Sequence, residues 1–436
     1  MDAERTPLAD PPDRSARSVA GSLVVGVFVG GIGGGVAFPT LPALGPLLGI
    51  SPLVVGLILS VNRFTRLVVN TPAGQVLDRV GTRRPMILGF TLQGLAPFGY
   101  VLGLYAGTLP VGSATVFIAA RCVWGVGSAF VVAGAFSTVT HVTAPANRGR
   151  WVGYVRGGQS LGFPTGLVAG GLLADTYGYD LAFAVAGAAG LLAAVLAALV
   201  LPDVRPDVEA SALRELPDIV RADTRIAAVG AVNLVVRFLF AGILLSTAVL
   251  YAEANGVAIG SLSATGVSGV VMGVSVLAAS VTTALVGRYS DGLDNRALVA
   301  FPALVVLAVG FALLALVPTL LGVGLAVALI GVGVGGTTPP LMAYLGDISP
   351  TGDVGKLGGV FNVFGDLGST LGPLVALPLV ARVGFRVAPW RRATIWGRAR
   401  RRLTEGRSLT FAITLARARE ANTQAVPARH VGCVRA

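Results

Sequence analysis

Charge is what this sequence has least of. Of its 436 residues only 12% are charged, 54% are apolar, and the mean hydropathy is +0.78. Soluble domains carry about 25% charged residues. So few charges cannot cover a water-facing surface, which excludes a soluble fold, and the high hydropathy excludes disorder. Lysine is nearly absent, with Lys356 standing alone. The two cysteines, Cys122 and Cys433, are isolated and make no disulfide framework. The two histidines, His141 and His430, sit in no metal-ligand cluster, and no H-E-x-x-H occurs. No G-x-x-x-x-G-K-[ST] loop offers an ATP site in cis, and no G-x-S-x-G elbow offers a nucleophile. We therefore expect no enzyme, no cofactor and no bound metal.

The net charge of +12 is unevenly spread. Residues 1–385 hold 20 Arg, one Lys and 19 acids, whereas residues 386–436 hold 12 Arg and two acids. The body is nearly neutral. Its few charges give no reason to expect a nucleic-acid partner.

A membrane helix needs about 20 mostly apolar residues. Eleven runs meet this: 19–39, 53–72, 86–105, 113–139, 152–174, 181–201, 226–250, 264–286, 298–317, 320–343 and 357–380. The first run is too long for a signal h-region, so no cleaved signal is expected. Fifteen positive charges fall on alternate connections: Arg5, Arg14, Arg17; Arg79, Arg83, Arg84; Arg148, Arg150; Arg205, Arg214, Arg221, Arg225; Arg288, Arg296; and Lys356. The intervening connections, through the ninth run, carry none, although they hold Asp175, Asp180 and Glu253. Positive charge stays in the cytoplasm. This orients the chain with segment 1–17 inside, in a plasma membrane.

The pattern repeats. A polar loop, 202–225, with Pro202, Pro206 and Pro217, separates an N-terminal half, 18–201, from a C-terminal half, 226–385. Gly74 and Asp78 follow the second run, and Gly287 and Asp291 follow the eighth at the same spacing. Gly149-Arg150, Gly162, Gly166 and Gly178-Tyr179 match Gly355-Lys356, Gly368, Gly372 and Gly384-Phe385, each pair 206 residues apart. Repeated six-helix halves place a substrate site near the midplane between them.

These residues resemble the major facilitator superfamily of secondary transporters. Segment 74–84 carries Gly74, Asp78, Arg79, Gly81, Arg83 and Arg84 of the family's G-x-L-a-D-R-x-G-r-R signature, with departures at Val76 and Thr82. Arg121, Gly125 and Gly127 fit its R-x-x-q-G-x-g element, with Trp124 where Gln is usual. The resemblance implies an all-α, twelve-helix fold of two six-helix halves working by alternating access, as a monomer in the lipid bilayer. It also implies that Asp78 faces the N-terminus of the eleventh helix, where the dipole favours an acid, and latches the halves in the outward-open state. The fifth run has Gly158, Gly162, Gly166 and Gly170 on one face. Pro164 comes one residue late, and Leu167 breaks the closing Gly pair of the family's antiporter element. We expect this glycine face to meet a neighbour across the interface between the halves.

Ionisable residues at depth in a membrane are costly and rarely idle. The second run holds Asn62, Arg63 and Arg66, the fourth Arg121, and the seventh Asn233 and Arg237. One deep acid, Asp366, stands against them, a turn after Asn362. Asp366 reads either as a proton carrier or as a permanent ion-pair partner for one Arg. The Arg excess reads as a cavity for anionic or zwitterionic groups, or as side chains paired with backbone carbonyls or reaching an interface. Together these features point to a small-molecule transporter coupled to protons, with export preferred by family analogy. Uptake of a small anion and a non-transporting sensor are the alternatives.

The repeat demands a twelfth span after Gly384-Phe385, but a basic tail stands there, 386–436, whose best apolar stretch is Leu409–Ala416. Eight residues cannot cross a bilayer. Three readings fit: a shifted reading frame replacing the span, a genuine basic extension binding lipid headgroups or nucleic acid, or a re-entrant eleventh span. The frameshift is the expected one, because repeat and charge rule break at the same place.

Overall fold

The computed structural model describes residues 14–108, 112–143, 145–204, 223–290, 292–293, 296–348 and 354–385. Asp291, most of the 202–225 loop, and the tail 386–436 with its frame question lie outside them.

The described residues form eleven long helices: α1 Arg14–Leu47, α2 Pro52–Val80, α3 Arg83–Tyr105, α4 Gly112–Val142, α5 Pro145–Thr176, α6 Tyr179–Val200, α7 Thr224–Asn255, α8 Ala264–Ser290, α9 Ala297–Leu316, α10 Leu320–Asp347 and α11 Val354–Val383. Helix is the form that satisfies every backbone group within its own segment, which an apolar medium requires. Each apolar run falls within one helix, to within a residue. Several helices overrun their runs, because polar residues continue them beyond the apolar zone: α2 extends past residue 72 to Val80. Ten of the helices are long and apolar enough to cross a membrane. α5 is the one below that level. It is rich in glycine and carries Arg148, Arg150, Arg156 and Asp175.

Glycine sets how α5 packs. A Cβ on Gly158 would come 2.7 Å from the carbonyl oxygen of Val24, on Gly162 it would strike that of Phe28, on Gly166 that of Ile32, and on Gly170 it would lie 2.7 Å from Cα of Val36. All four partners lie on α1, one per turn. The glycine face therefore docks on α1 inside the same half, and not across the interface between halves. The cross-half contact of α5 comes from its adjacent face: a Cβ on Gly171 would be 2.9 Å from Cα of Gly269 on α8, and Pro164 lies beside Gly273.

The second half repeats this joint. Gly368 of α11 abuts the carbonyl of Leu234 on α7, and a Cβ on Gly372 would be 3.0 Å from that of Phe238. Gly162 and Gly368 are 206 residues apart, and so are Phe28 and Leu234, and Ile32 and Phe238. The internal repeat is a repeat of helix-on-helix register.

Two ends of the bundle can be told apart. The 80–83 turn and residues 201–204 lie at one, here called the loop end, and the 176–179 turn lies at the far end. At the far end the halves close on each other. A Cβ on Gly56 of α2 would be 2.6 Å from the carbonyl oxygen of Pro373 on α11, and Ser60 Oγ donates to Thr370 O at 2.6 Å. The Asp175 carboxylate accepts from Ser263 N at 3.1 and 3.2 Å, just before α8. Toward the loop end they part. α8 is buried at Thr265–Gly269, Met272 and Gly273, then exposed at Val281, Thr283, Ala284 and Leu285.

Candidate functional site

Between the halves lies a cavity of about 230 Å³. Its walls come from α1, α2, α3, α4 and α5 on one side and from α7, α8 and α11 on the other. On α1, Gly30 and Gly34 thin the wall: a Cβ on Gly30 would be 2.7 Å from Gln93 Oε1, and on Gly34 2.8 Å from Cζ2 of Trp124. The glycines let these two side chains lie against the α1 backbone.

The charges meet here. Arg66 Nη2 is 2.5 Å from Asp366 Oδ1, and Arg63 Nη1 is 3.5 Å from the same oxygen. The pair joins α2 to α11 across the halves. Arg63 and Arg66 keep 26% and 22% of their side-chain surface open, and Asp366 keeps 13%. Arg237 lines the same cavity from α7. Two guanidiniums thus meet one carboxylate, with a third on the wall of the same cavity. Asp366 is further tied to its own helix, since Thr370 Oγ1 donates to its carbonyl at 2.7 Å.

Just after Arg237, helix α7 widens into a π-helix, Phe238–Leu245, which supplies Phe240, Ala241 and Leu245 to the cavity. Ser246 and Thr247 donate their hydroxyls to the carbonyls of Gly242 and Ile243. Wide turns of this kind recur at functional sites.

Other expected residues sit elsewhere. Arg121 is wholly buried behind the wall. Its Nε and Nη2 donate to Ile58 O and Leu59 O, each at 3.2 Å, its Nη1 to Tyr100 Oη at 3.5 Å, and its guanidinium lies 5.9 Å from the Trp124 ring. It pairs with backbone carbonyls, the second of the two readings given for such arginines. Asn233 is buried and donates to Phe361 O at 2.7 Å, which ties α7 to α11. Asn362 is exposed and is not part of the cavity wall. Asn62, Arg63, Arg66 and Arg237 are the expected residues that the wall does bring together.

Five further polar residues line the wall that the sequence did not point to as site residues: Gln93, Trp124, Ser128, Gln159 and Ser369. Gln93 interrupts an apolar run, and that was a legible signal. Among the described residues, Asn62 Oδ1, Gln93 Oε1 and Trp124 Nε1 are buried without a hydrogen-bond partner.

The signature segment has its own geometry. Gly81 ends α2 at φ 81°, a region glycine favours, and its N–H donates to Leu77 O at 3.0 Å. Thr82 N donates to Val204 O at 2.8 Å and Arg83 Nη2 to Ala198 O at 2.8 Å. The segment is stitched to the end of α6 in its own half. Gly74 lies within α2, and Arg79 and Arg84 are exposed. Asp78 Oδ1 is buried and has no partner among the described residues.

The family model of the Major Facilitator Superfamily matches residues 23–373. Multidrug resistance protein 2 of Bacillus subtilis is 28% identical over 172 residues, 39% of this chain and 41% of that protein. Quinolone resistance protein NorA of Staphylococcus aureus is 23% identical over 171 residues, 39% of this chain and 42% of that protein. The chain thus aligns with about two fifths of the length of these relatives. Two crystal structures share the fold. A bacterial homologue of the human lysosomal transporter Spinster, inward-facing and unoccupied, has a TM-score of 0.70 at 16% identity, covering 91% of this chain and 90% of that one. A D-xylose-proton symporter has a TM-score of 0.67 at 16% identity, covering 88% and 95%. With ten membrane-length apolar helices, two halves in repeated register and a family match over most of its length, this chain belongs to the Major Facilitator Superfamily.

Proposed function

We propose that this protein is a proton-coupled secondary transporter that exports a small molecule across the plasma membrane by alternating access. The observation that carries this reading is the Arg66–Asp366 pair, which joins the two halves at the wall of a cavity lined by both. An ion pair placed there has to be made or broken as the halves rock, so protonation of Asp366 can be linked to the state of the cavity. If the basic connections are cytoplasmic, the parted loop end faces the cytoplasm and the conformation is inward-facing. The names of the multidrug and quinolone resistance relatives support export. The protein acts as a monomer with lipid, cargo and protons as its partners, and with segment 1–17 inside.

A second reading, uptake of a small anionic solute, is favoured by the three guanidiniums gathered around one acid. The test is transport in proteoliposomes under an imposed pH gradient, comparing the native chain with Asp366→Asn. Proton-coupled flux in the native chain and its loss in the variant support the reading. Equal coupling in both would remove Asp366 from it.

A further inference from the structure

Resting on the transporter reading above, we infer that the cavity takes a small organic anion with a ring and at least one hydrogen-bonding group on its body, held at its anionic end by Arg63 and Arg237.

The first argument is charge. The cavity gathers Arg63, Arg66 and Arg237, and the described residues place one acid, Asp366, at ion-pair distance from any of them. Arg66 takes that acid at 2.5 Å, and Arg63 reaches the same oxygen only at 3.5 Å. Among the described residues Arg237 makes no ion pair. Charge at this depth is tolerated when it is neutralised. A cation as cargo would deepen the imbalance. An anion reduces it, and guanidiniums from two helices of opposite halves suit the two oxygens of a carboxylate or sulfonate.

The second argument is independent of charge. Three side chains of the wall, Asn62, Gln93 and Trp124, carry buried polar atoms, Oδ1, Oε1 and Nε1, with no hydrogen-bond partner among the described residues. Asn62 and Gln93 are only 7% and 5% exposed. Buried polar groups are ordinarily satisfied, and orphans that line a cavity point to something that completes them. Turned into the cavity that their side chains line, two acceptors and an indole donor would serve a cargo that both donates and accepts. Trp124, Phe38 and Phe163 also line the cavity, with the two phenylalanine rings edge to face at 5.6 Å. The cavity of about 230 Å³ limits the body to a ring of modest size.

The experiment uses the purified full chain and three matched compounds: 4-hydroxybenzenesulfonate, 4-hydroxybenzenesulfonamide and (4-hydroxybenzyl)trimethylammonium. The sulfonate keeps its charge at every pH tested, so proton uptake by the probe itself cannot confuse the result. Equilibrium binding should favour the sulfonate over both others by about tenfold or more, as expected for charge-assisted bonds. Arg237→Gln should lose that preference while Arg237→Lys keeps part of it, which separates loss of charge from misfolding. Gln93→Leu should weaken the sulfonate and the sulfonamide alike. Preference for the ammonium compound, or none among the three, or binding of none, overturns the inference. The transporter reading is tested separately by solute exchange in proteoliposomes: proton-linked movement of a cation would leave it standing while the anion assignment falls. Sulfonate binding without exchange would do the reverse.

Discussion

Asp175, at the end of α5, and Ser263, just ahead of α8, are bound across the two halves by the carboxylate of one and the backbone N–H of the other, at 3.1 and 3.2 Å. An acid here meets the positive end of a helix dipole. The Ser263 hydroxyl also accepts from Thr265 N at 3.3 Å, so the start of α8 is capped within its own helix as well. The family resemblance leads us to expect the same chemistry for Asp78 and the start of α11 at the other end; Asp78 Oδ1 is buried with no partner among the described residues.

Opposite effects should follow from the two acids. Asp175→Asn should raise the fraction of molecules open at the far end, and Asp78→Asn should raise the fraction open at the loop end. Loss of one such contact is worth about 0.3–1 kcal/mol, or roughly a twofold to fivefold change in the ratio of states. Distances between spin labels placed at the two ends would read the ratio. Normal transport kinetics in Asp78→Asn would remove the latch.

Removing Asp366 has a structural cost beside its effect on coupling. Breaking a buried pair costs about 3–5 kcal/mol. Arg63 and Arg66 retain 26% and 22% exposure to the cavity, so the lower end of that range is expected for Asp366→Ala. Thermal unfolding in detergent should show it, and the combined Arg66→Met, Asp366→Met variant should recover part of it.

The glycine joint has a built-in control. Gly162→Val and Gly368→Val place side chains against the Phe28 and Leu234 carbonyls and should each destabilise by about 1–3 kcal/mol or prevent folding. Gly153→Ala and Gly157→Ala meet nothing within 4 Å and should be neutral or slightly stabilising. Yield of folded protein and midpoint of thermal unfolding separate the two classes.

Helix α7 begins at an acidic cap, Asp223. The Asp223 carboxylate is held below its ordinary value, first by the hydrogen bond from the Arg225 side chain and then by the one from its backbone N–H. A lowered value in the folded state stabilises above the unfolded value and is lost as pH falls through the folded one. The first turn of α7 should stay protected from hydrogen exchange at neutral pH and fray only in acid below the ordinary carboxylate range. Asp223→Ala should fray it at every pH.

Much of the architecture was legible because membranes impose simple rules. Apolar length located the eleven helices, and the spacing of Gly162, Gly166, Gly368 and Gly372 revealed the repeat. Which neighbour a face meets was another matter. Arg121 and Arg63 both read as deep arginines, yet one turns to the Ile58 and Leu59 carbonyls and the other to the cavity. The face of a helix that is apolar all round cannot be assigned from periodicity. The same ambiguity sent the α5 glycines to the wrong partner. Gln93 was visible as a lone polar residue in an apolar run, and Gln159 beside Ser160 in a glycine-rich one, but nothing in one chain tells a cavity wall from a helix contact. The π-turn after Arg237 left no periodic trace at all.

Where α5 lies on α1, and α11 on α7, main chain rests on main chain, with no rotamers between them to reset. Such joints do not creep. Each pair is a plank, and motion has to be absorbed at surfaces furnished with side chains, chiefly around the cavity. The contact of Gly171 with Gly269 is the same bare-backbone kind, but it crosses between the halves at the far end. It is therefore suited to serve as a fulcrum: a point that bears load and permits tilt, while the long ends of the planks swing.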